Sequence, residues 1–147
     1  MTKLIENTLQ LLNSSCAPEV MAVLDPNPSE LMEAASILEH YRIPDSRRVK
    51  LLALFVLLEL ARKRHANVCF TSTCLTRKIL DGDYFQSLYI QLAMQFEEME
   101  LVRYLAPLLK KYYIRQALGK EESEPLTFTL QAYLQREQAA ERKNRAI

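Results

Sequence analysis

The sequence predicts a mainly α-helical fold, in which about six to seven helices form a compact domain around one apolar central helix at 46–65. Residues 51–58, LLALFVLL, are eight apolar side chains without a polar break. A helix carrying this run is apolar on every side and needs neighbours all round it, yet it is shorter than the roughly 20 residues of a membrane span. The 147 residues include only two glycines, which disfavours folds that are rich in tight β-turns. One domain, 1–147, is therefore expected.

Residues 1–45 are predicted to form an N-terminal helical extension of three short helices. In the first, apolar residues from Leu4 to Leu12 recur at three- and four-residue spacing. Pro18 suits the first position of a second helix. Asn27 is a suitable cap for a third helix with Pro28 at its first position.

The central helix is followed by two further predicted helices, and together they begin a core assigned to 46–135. The central helix ends in the basic run 62–65, which complements the negative helix terminus. A fifth helix containing Leu75 and Leu80 is expected to stop at Asp81-Gly82. Asp83 is then expected to cap a sixth helix that continues to about Val102.

The segment after Val102 has two interpretations. As a helix, it opens at Pro107 and ends at Gly119 as the C′ residue. As strands, 112–117 and 126–131 are aromatic and β-branched runs on either side of a polar turn, and they predict a β-hairpin at 112–131. The hairpin would complete a winged helix-turn-helix. In both interpretations a helix follows at Leu130–Ala140, and 136–147 form a frayed basic tail.

The net charge is +1, but charged residues are segregated along the chain. Residues 46–80 contain eight basic and one acidic residue, and 102–120 contain five basic and no acidic residues. Residues 81–101 contain five acidic residues and no Lys or Arg. Such blocks either neutralise one another between helices, which is the simpler interpretation, or form oppositely charged surfaces.

No arrangement of residues typical of catalysis is visible, so no enzymatic activity is expected. Both histidines lie at predicted helix ends, and nucleophilic catalysis needs a base beside its nucleophile. His65, Cys69 and Cys74 do not have the close ligand pairs of a zinc site. No metal and no cofactor are therefore expected, and the cysteines are interpreted as small hydrophobic residues.

The basic segment 102–120 contains the predicted partner-binding residues. Lys110, Lys111, Tyr112, Tyr113 and Arg115 combine aromatic and cationic side chains, a composition that is common in protein interfaces. Because the tyrosines are adjacent, one of them is expected to be exposed. The predicted function is a non-catalytic protein–protein interaction module or a subunit of a larger complex.

The alternative is a winged-helix nucleic-acid-binding protein. Its phosphate contacts would come from two basic clusters: Arg77, Lys78, Lys110, Lys111 and Arg115. The third helix of such a fold would be the acidic segment 81–101, which phosphates repel, so the protein-binding interpretation is preferred.

The N-terminus lacks the basic start and continuous apolar stretch of a signal peptide. Together with the odd number of cysteines, this predicts a cytoplasmic or nuclear protein with reduced thiols and no membrane association.

Overall fold

The computed structural model describes residues 1–21, 24–66, 73–120 and 124–147. Within these ranges the chain forms seven helices and no strand, so the mainly α-helical prediction is confirmed. The helices are α1 (Thr2–Ser15), α2 (Pro18–Met21), α3 (Pro28–His40), α4 (Asp45–Ala66), α5 (Leu75–Gln95), α6 (Met99–Ala117) and α7 (Leu126–Arg145).

The chain divides into two units, Met1–Glu98 and Met99–Ile147. The first contains α1 to α5, and the second contains α6 and α7. The single-domain organisation expected from the sequence, with its boundaries at 45 and 135, stays a prediction.

The apolar run of α4 is the core of the first unit. All eight residues of 51–58 are buried, and α4 packs against α5, α1 and α3. With neighbours on several sides, a helix can bury residues at every position instead of along one stripe. The predicted central helix is thus confirmed to within one residue at each end.

Asn27 caps α3 as the sequence predicts. Its side-chain Oδ1 accepts a hydrogen bond from the backbone N–H of Ser29 at 2.9 Å, and Pro28 occupies the first helical position. One of the unpaired donors at the helix start is thereby satisfied.

The prediction that one helix ends at Asp81-Gly82 and another begins at Asp83 is wrong, because α5 continues through Gly82. A helix interior tolerates Gly at a modest cost, and here the missing side chain makes room for a neighbour. A Cβ at position 82 would lie 2.5 Å from ring atoms of His65 in α4. The His65 Nε2 atom lies 2.9 Å from Asp83 Oδ1, so the glycine marks a close approach of α4 and α5.

Substituting Gly82→Ala is expected to affect stability differently with and without the His65 ring. Alanine favours a helix interior over glycine by about 0.5–1 kcal/mol, and this gain should appear in a His65→Ala background. With His65 present the ring must move and lose its contact with Asp83, so the gain should shrink or reverse. Urea unfolding of the unsubstituted protein, the two single variants and the double variant gives the coupling free energy between the two positions. Equal effects of Gly82→Ala in both backgrounds would contradict the close approach.

A break at 96–98 that the sequence did not predict separates α5 from α6. The Glu98 N–H donates to Ala93 O at 2.8 Å, and the Glu97 N–H donates to Met94 O at 3.2 Å. This pair of bonds is the Schellman ending, in which the C′ residue is left-handed and is usually glycine. Here the C′ residue is Glu97, with φ of 60°.

Glu97→Gly is expected to raise the free energy of unfolding by about 1 kcal/mol, because a left-handed conformation is strained for residues with a Cβ. Gly119 is the matched control. It occupies the same C′ position after α6 with φ of 70°, as the sequence predicted, and Gly119→Ala should lower stability by a similar amount. Thermal or urea unfolding measures both changes. Destabilisation by Glu97→Gly would contradict this account.

The predicted β-hairpin at 112–131 is wrong, and with it the winged helix-turn-helix. Residues 112–117 belong to α6, and 126–131 form the first turns of α7. Residues 121–123 of the predicted turn lie outside the described residues. Pro107 does not open a helix but lies inside α6, since the apolar spacing from Leu101 and Leu105 continues past it. The aromatic and β-branched side chains therefore follow a helical period.

The last helix, α7, is longer than the predicted Leu130–Ala140 segment and continues to Arg145. Its buried residues all lie in the first half, between Leu126 and Leu134. In the described parts of the chain, none of the helices has the length and apolar character needed to cross a membrane.

Candidate protein-binding surface

All five predicted partner-binding residues lie in the second half of α6. Lys110, Lys111 and Arg115 are exposed, whereas Tyr112 and Tyr113 are both half-buried. The two tyrosine rings meet edge to face, with 5.1 Å between their centroids. The three cations are therefore exposed and both tyrosines are partly covered, so the expectation of one exposed tyrosine is not met.

The same half of α6 also exposes aliphatic residues that the sequence interpretation missed. Leu108, Ile114 and Leu118 are 39%, 50% and 65% exposed. Leu118 follows the last residue of α6 but extends its hydrogen bonding, since its N–H donates to Ile114 O at 3.1 Å. We refer to these three residues together with Lys110, Lys111 and Arg115 as the outer face of α6. A helical projection of 108–118 reveals this face, whereas the hairpin interpretation obscures it, because a strand over 112–117 would place successive side chains on opposite faces.

The three cations of the outer face have no acidic partner among the residues that the structure describes. Within the described ranges, the side chains of Lys110, Lys111 and Arg115 form no hydrogen bond and no ion pair. A local positive potential is therefore left on a surface that also exposes aliphatic groups.

The basic block at 46–65 differs, because most of its cations pair with carboxylates inside the first unit. Five of the six Lys and Arg side chains of α4 pair with a carboxylate, and the sixth, Lys50, lies over the Phe96 ring at 5.6 Å. The pairs are Arg47–Glu98, Arg48–Asp45, Arg62–Glu59, Lys63–Asp25 and Arg64–Asp25. Two of these pairs lie within α4, and the other three use Asp25 and Glu98, which lie in connections between helices; the block is therefore largely paired, but not by carboxylates of neighbouring helices.

Arg77 and Lys78, the remaining predicted nucleic-acid contacts, lie in the first turn of α5. The Arg77 guanidinium donates to Asp81 Oδ1 at 2.8 Å and to the Glu19 carbonyl at 3.1 Å. Lys78 is half-buried. Arg77 is thus already engaged within the first unit and has fewer donors left for phosphate.

A pocket of about 400 Å³ lies between α6 and α7 in the second unit. The Tyr104 and Tyr133 rings lie 5.4 Å apart, and the Arg136 guanidinium is 5.6 Å from the centre of the Tyr104 ring. The Tyr133 hydroxyl donates to Glu137 at 3.1 Å. With Glu100 and Arg103 the lining contains two acids and two arginines, so its charge favours neither anions nor cations.

Thiols and other titratable groups in the described residues do not form a reactive cluster. Burial raises the pKa of the Cys16 thiol, which lowers its thiolate fraction and its reactivity. Cys74 is exposed, and Cys69 lies outside the described residues. Burial also raises the pKa of Tyr89. No group of three potential metal ligands occurs in the part of the chain that the structure describes.

Comparison with known proteins gives no relative: no family model, no curated protein and no solved structure matches the chain.

Proposed function

We propose that this chain is a non-catalytic interaction module, or a subunit of a larger complex, that binds a protein partner through the outer face of α6. The observation that carries the proposal is the contrast between two basic blocks. Five of the six Lys and Arg side chains of α4 pair with carboxylates within their own unit. Those of Lys110, Lys111 and Arg115 have no ion-pair partner among the described residues and lie beside exposed aliphatic side chains.

A purely structural role accounts for only part of this arrangement. Cations in the last turn of a helix interact favourably with its negative end, so Arg115 also stabilises α6. That effect does not explain why Ile114 and Leu118 are half or more exposed. Covering aliphatic side chains of this size contributes about 1 kcal/mol or more each to association, which makes them suitable contact residues.

Nucleic-acid binding has less support. Its winged-helix form required the hairpin that α6 and α7 replace, and Arg77 is engaged by Asp81 and Glu19. Phosphate contacts also do not require exposed aliphatic side chains, whereas protein interfaces combine cationic and aliphatic side chains.

The proposal predicts that Ile114→Asp with Leu118→Asp abolishes partner capture without unfolding the chain. The tagged full-length protein is used to isolate binding proteins from its source cells, and quantitative mass spectrometry compares it with the double variant. Recovery of at least one protein should fall about tenfold or more, as expected when roughly 1.4 kcal/mol of contact energy is lost.

The control is Met94→Asp, which introduces an aspartate, as each of those two substitutions does, at a 63% exposed apolar residue of α5 in the first unit. This variant should retain the partner, and circular dichroism should show both proteins folded. Equal recovery of every captured protein with Ile114→Asp/Leu118→Asp and with Met94→Asp would contradict the proposal.

A further inference from the structure

We infer that the partner segment bound by the outer face of α6 is an acidic amphipathic helix of about three turns. This inference rests on the proposed function and adds the chemistry of the occupant. Residues 108–118 span about 15 Å at the helical rise of about 1.5 Å per residue, which is the length of about three turns of a partner helix.

Charge complementarity requires the partner to be acidic. Lys110, Lys111 and Arg115 make no ion pair within the described ranges, so a neutral or basic partner would cover or approach uncompensated positive charge. Like charges across an interface weaken binding, and complementary ones steer association. Carboxylates separated by four residues on the partner would match the separation of Lys111 and Arg115 on one side of α6.

The geometry favours a helix over an extended strand. The backbone N–H and C=O groups of α6 bond within the helix, so they offer no edge for strand addition. Side chains must make the contact, and they stand in two rows four residues apart: Lys110, Ile114 and Leu118 form one row, and Lys111 and Arg115 form the other. Such ridges fit the grooves of a second helix.

The arrangement of charges disfavours a lipid surface as the occupant. Helices that lie in a membrane interface have their cations on the face opposite a broad apolar one. On α6, Leu108 and Ile114 are each three residues from Lys111, so they lie about 60° on either side of it. Cations and aliphatic side chains are interleaved, and the exposed apolar residues of this face include no aromatic ring.

A display library of random peptides tests the inference, and it requires no identified partner. The peptides have about 15 residues, a length at which isolated helices become marginally stable. Selection on the full-length protein should enrich peptides with leucine-like residues at helical spacing and Asp or Glu beside them. The most enriched peptide is then synthesised for fluorescence anisotropy. Its affinity should fall at least tenfold for Lys110→Glu/Lys111→Glu/Arg115→Glu and for Ile114→Asp/Leu118→Asp, but remain unchanged for Met94→Asp.

Other outcomes separate this inference from the function on which it rests. Peptides that bind at Ile114 and Leu118 but are neutral or basic overturn the acidic-helix inference and leave the proposed function standing. If selection enriches no peptide whose binding depends on Ile114 and Leu118, the inference is overturned. The capture of binding proteins from cells then decides the proposed function separately. Binding of phosphatidylserine vesicles that is lost with Ile114→Asp/Leu118→Asp, without any such peptide, assigns the face to lipid and overturns both.

Discussion

Replacement of Leu57 by alanine is expected to lower the free energy of unfolding by about 2–5 kcal/mol, the range for a large aliphatic side chain removed from a packed core. The same loss is expected at Leu51, Leu52, Leu54 and Leu58, all of which are fully buried. On an ordinary amphipathic helix the losses would follow a period of 3.6 residues. On α4 they should show no period, because consecutive positions are equally enclosed.

Chemical denaturation of the five alanine variants measures this pattern. Leu80→Ala is the matched control, since Leu80 of α5 is 59% exposed and should change stability by only about 0.5 kcal/mol or less. A set of losses that alternates strongly along 51–58 would show that one side of α4 lacks a packing partner.

The second large effect is expected from Arg47→Ala, which should lower the free energy of unfolding by about 2–4 kcal/mol. Arg47 Nε and Nη2 donate to the two carboxylate oxygens of Glu98 at 2.6 and 3.0 Å, and the Glu98 side chain is only 7% exposed. Removing the guanidinium leaves a buried carboxylate without its partner, which is much more costly than losing an exposed pair. Arg47→Lys should be intermediate because an ammonium group cannot form the fork.

Two comparisons make this prediction specific. Arg103→Ala breaks a pair with Glu100 in which both side chains are about three-quarters exposed, and it should cost less than about 1 kcal/mol. The double variant Arg47→Ala/Glu98→Gln should recover much of the lost stability, since it no longer buries an unpaired charge. Equal losses for Arg47→Ala and Arg103→Ala would refute the account of Glu98.

The sequence predicted the helices whose signals are local and strong. The apolar run of α4 and the Asn27 cap specify their structures within a few residues. Glycine and proline were wrongly interpreted as helix boundaries where contacts with residues far along the chain, or the continuing apolar spacing, keep the helix intact. Gly82 looked like a helix end, but its role depends on the His65 ring 17 positions away. α5 ends at Gln95, and the left-handed residue that terminates it is Glu97, a residue type that gives no sequence signal for this conformation.

The candidate surface was predicted in part for a similar reason. Composition identified Lys110, Lys111 and Arg115, but it could not distinguish paired from unpaired cations. Two of the four carboxylates that pair with α4 are far along the chain: Asp25 is 39 residues from Arg64, and Glu98 is 51 residues from Arg47. Only the folded arrangement shows which basic block keeps its charge.

Pro107 divides α6 into two halves that differ in how much they are buried. Proline has no N–H, so the Arg103 carbonyl loses its intrahelical donor, and the only buried residues of α6, Leu101 and Leu105, precede it. None of the ten residues from Leu108 to Ala117 is fully buried, so unwinding them costs less packing than unwinding the half before Pro107. A ligand that binds only the helical form of this segment would use part of its binding free energy to order it. Its affinity would be lower for that reason, and its binding more readily reversed.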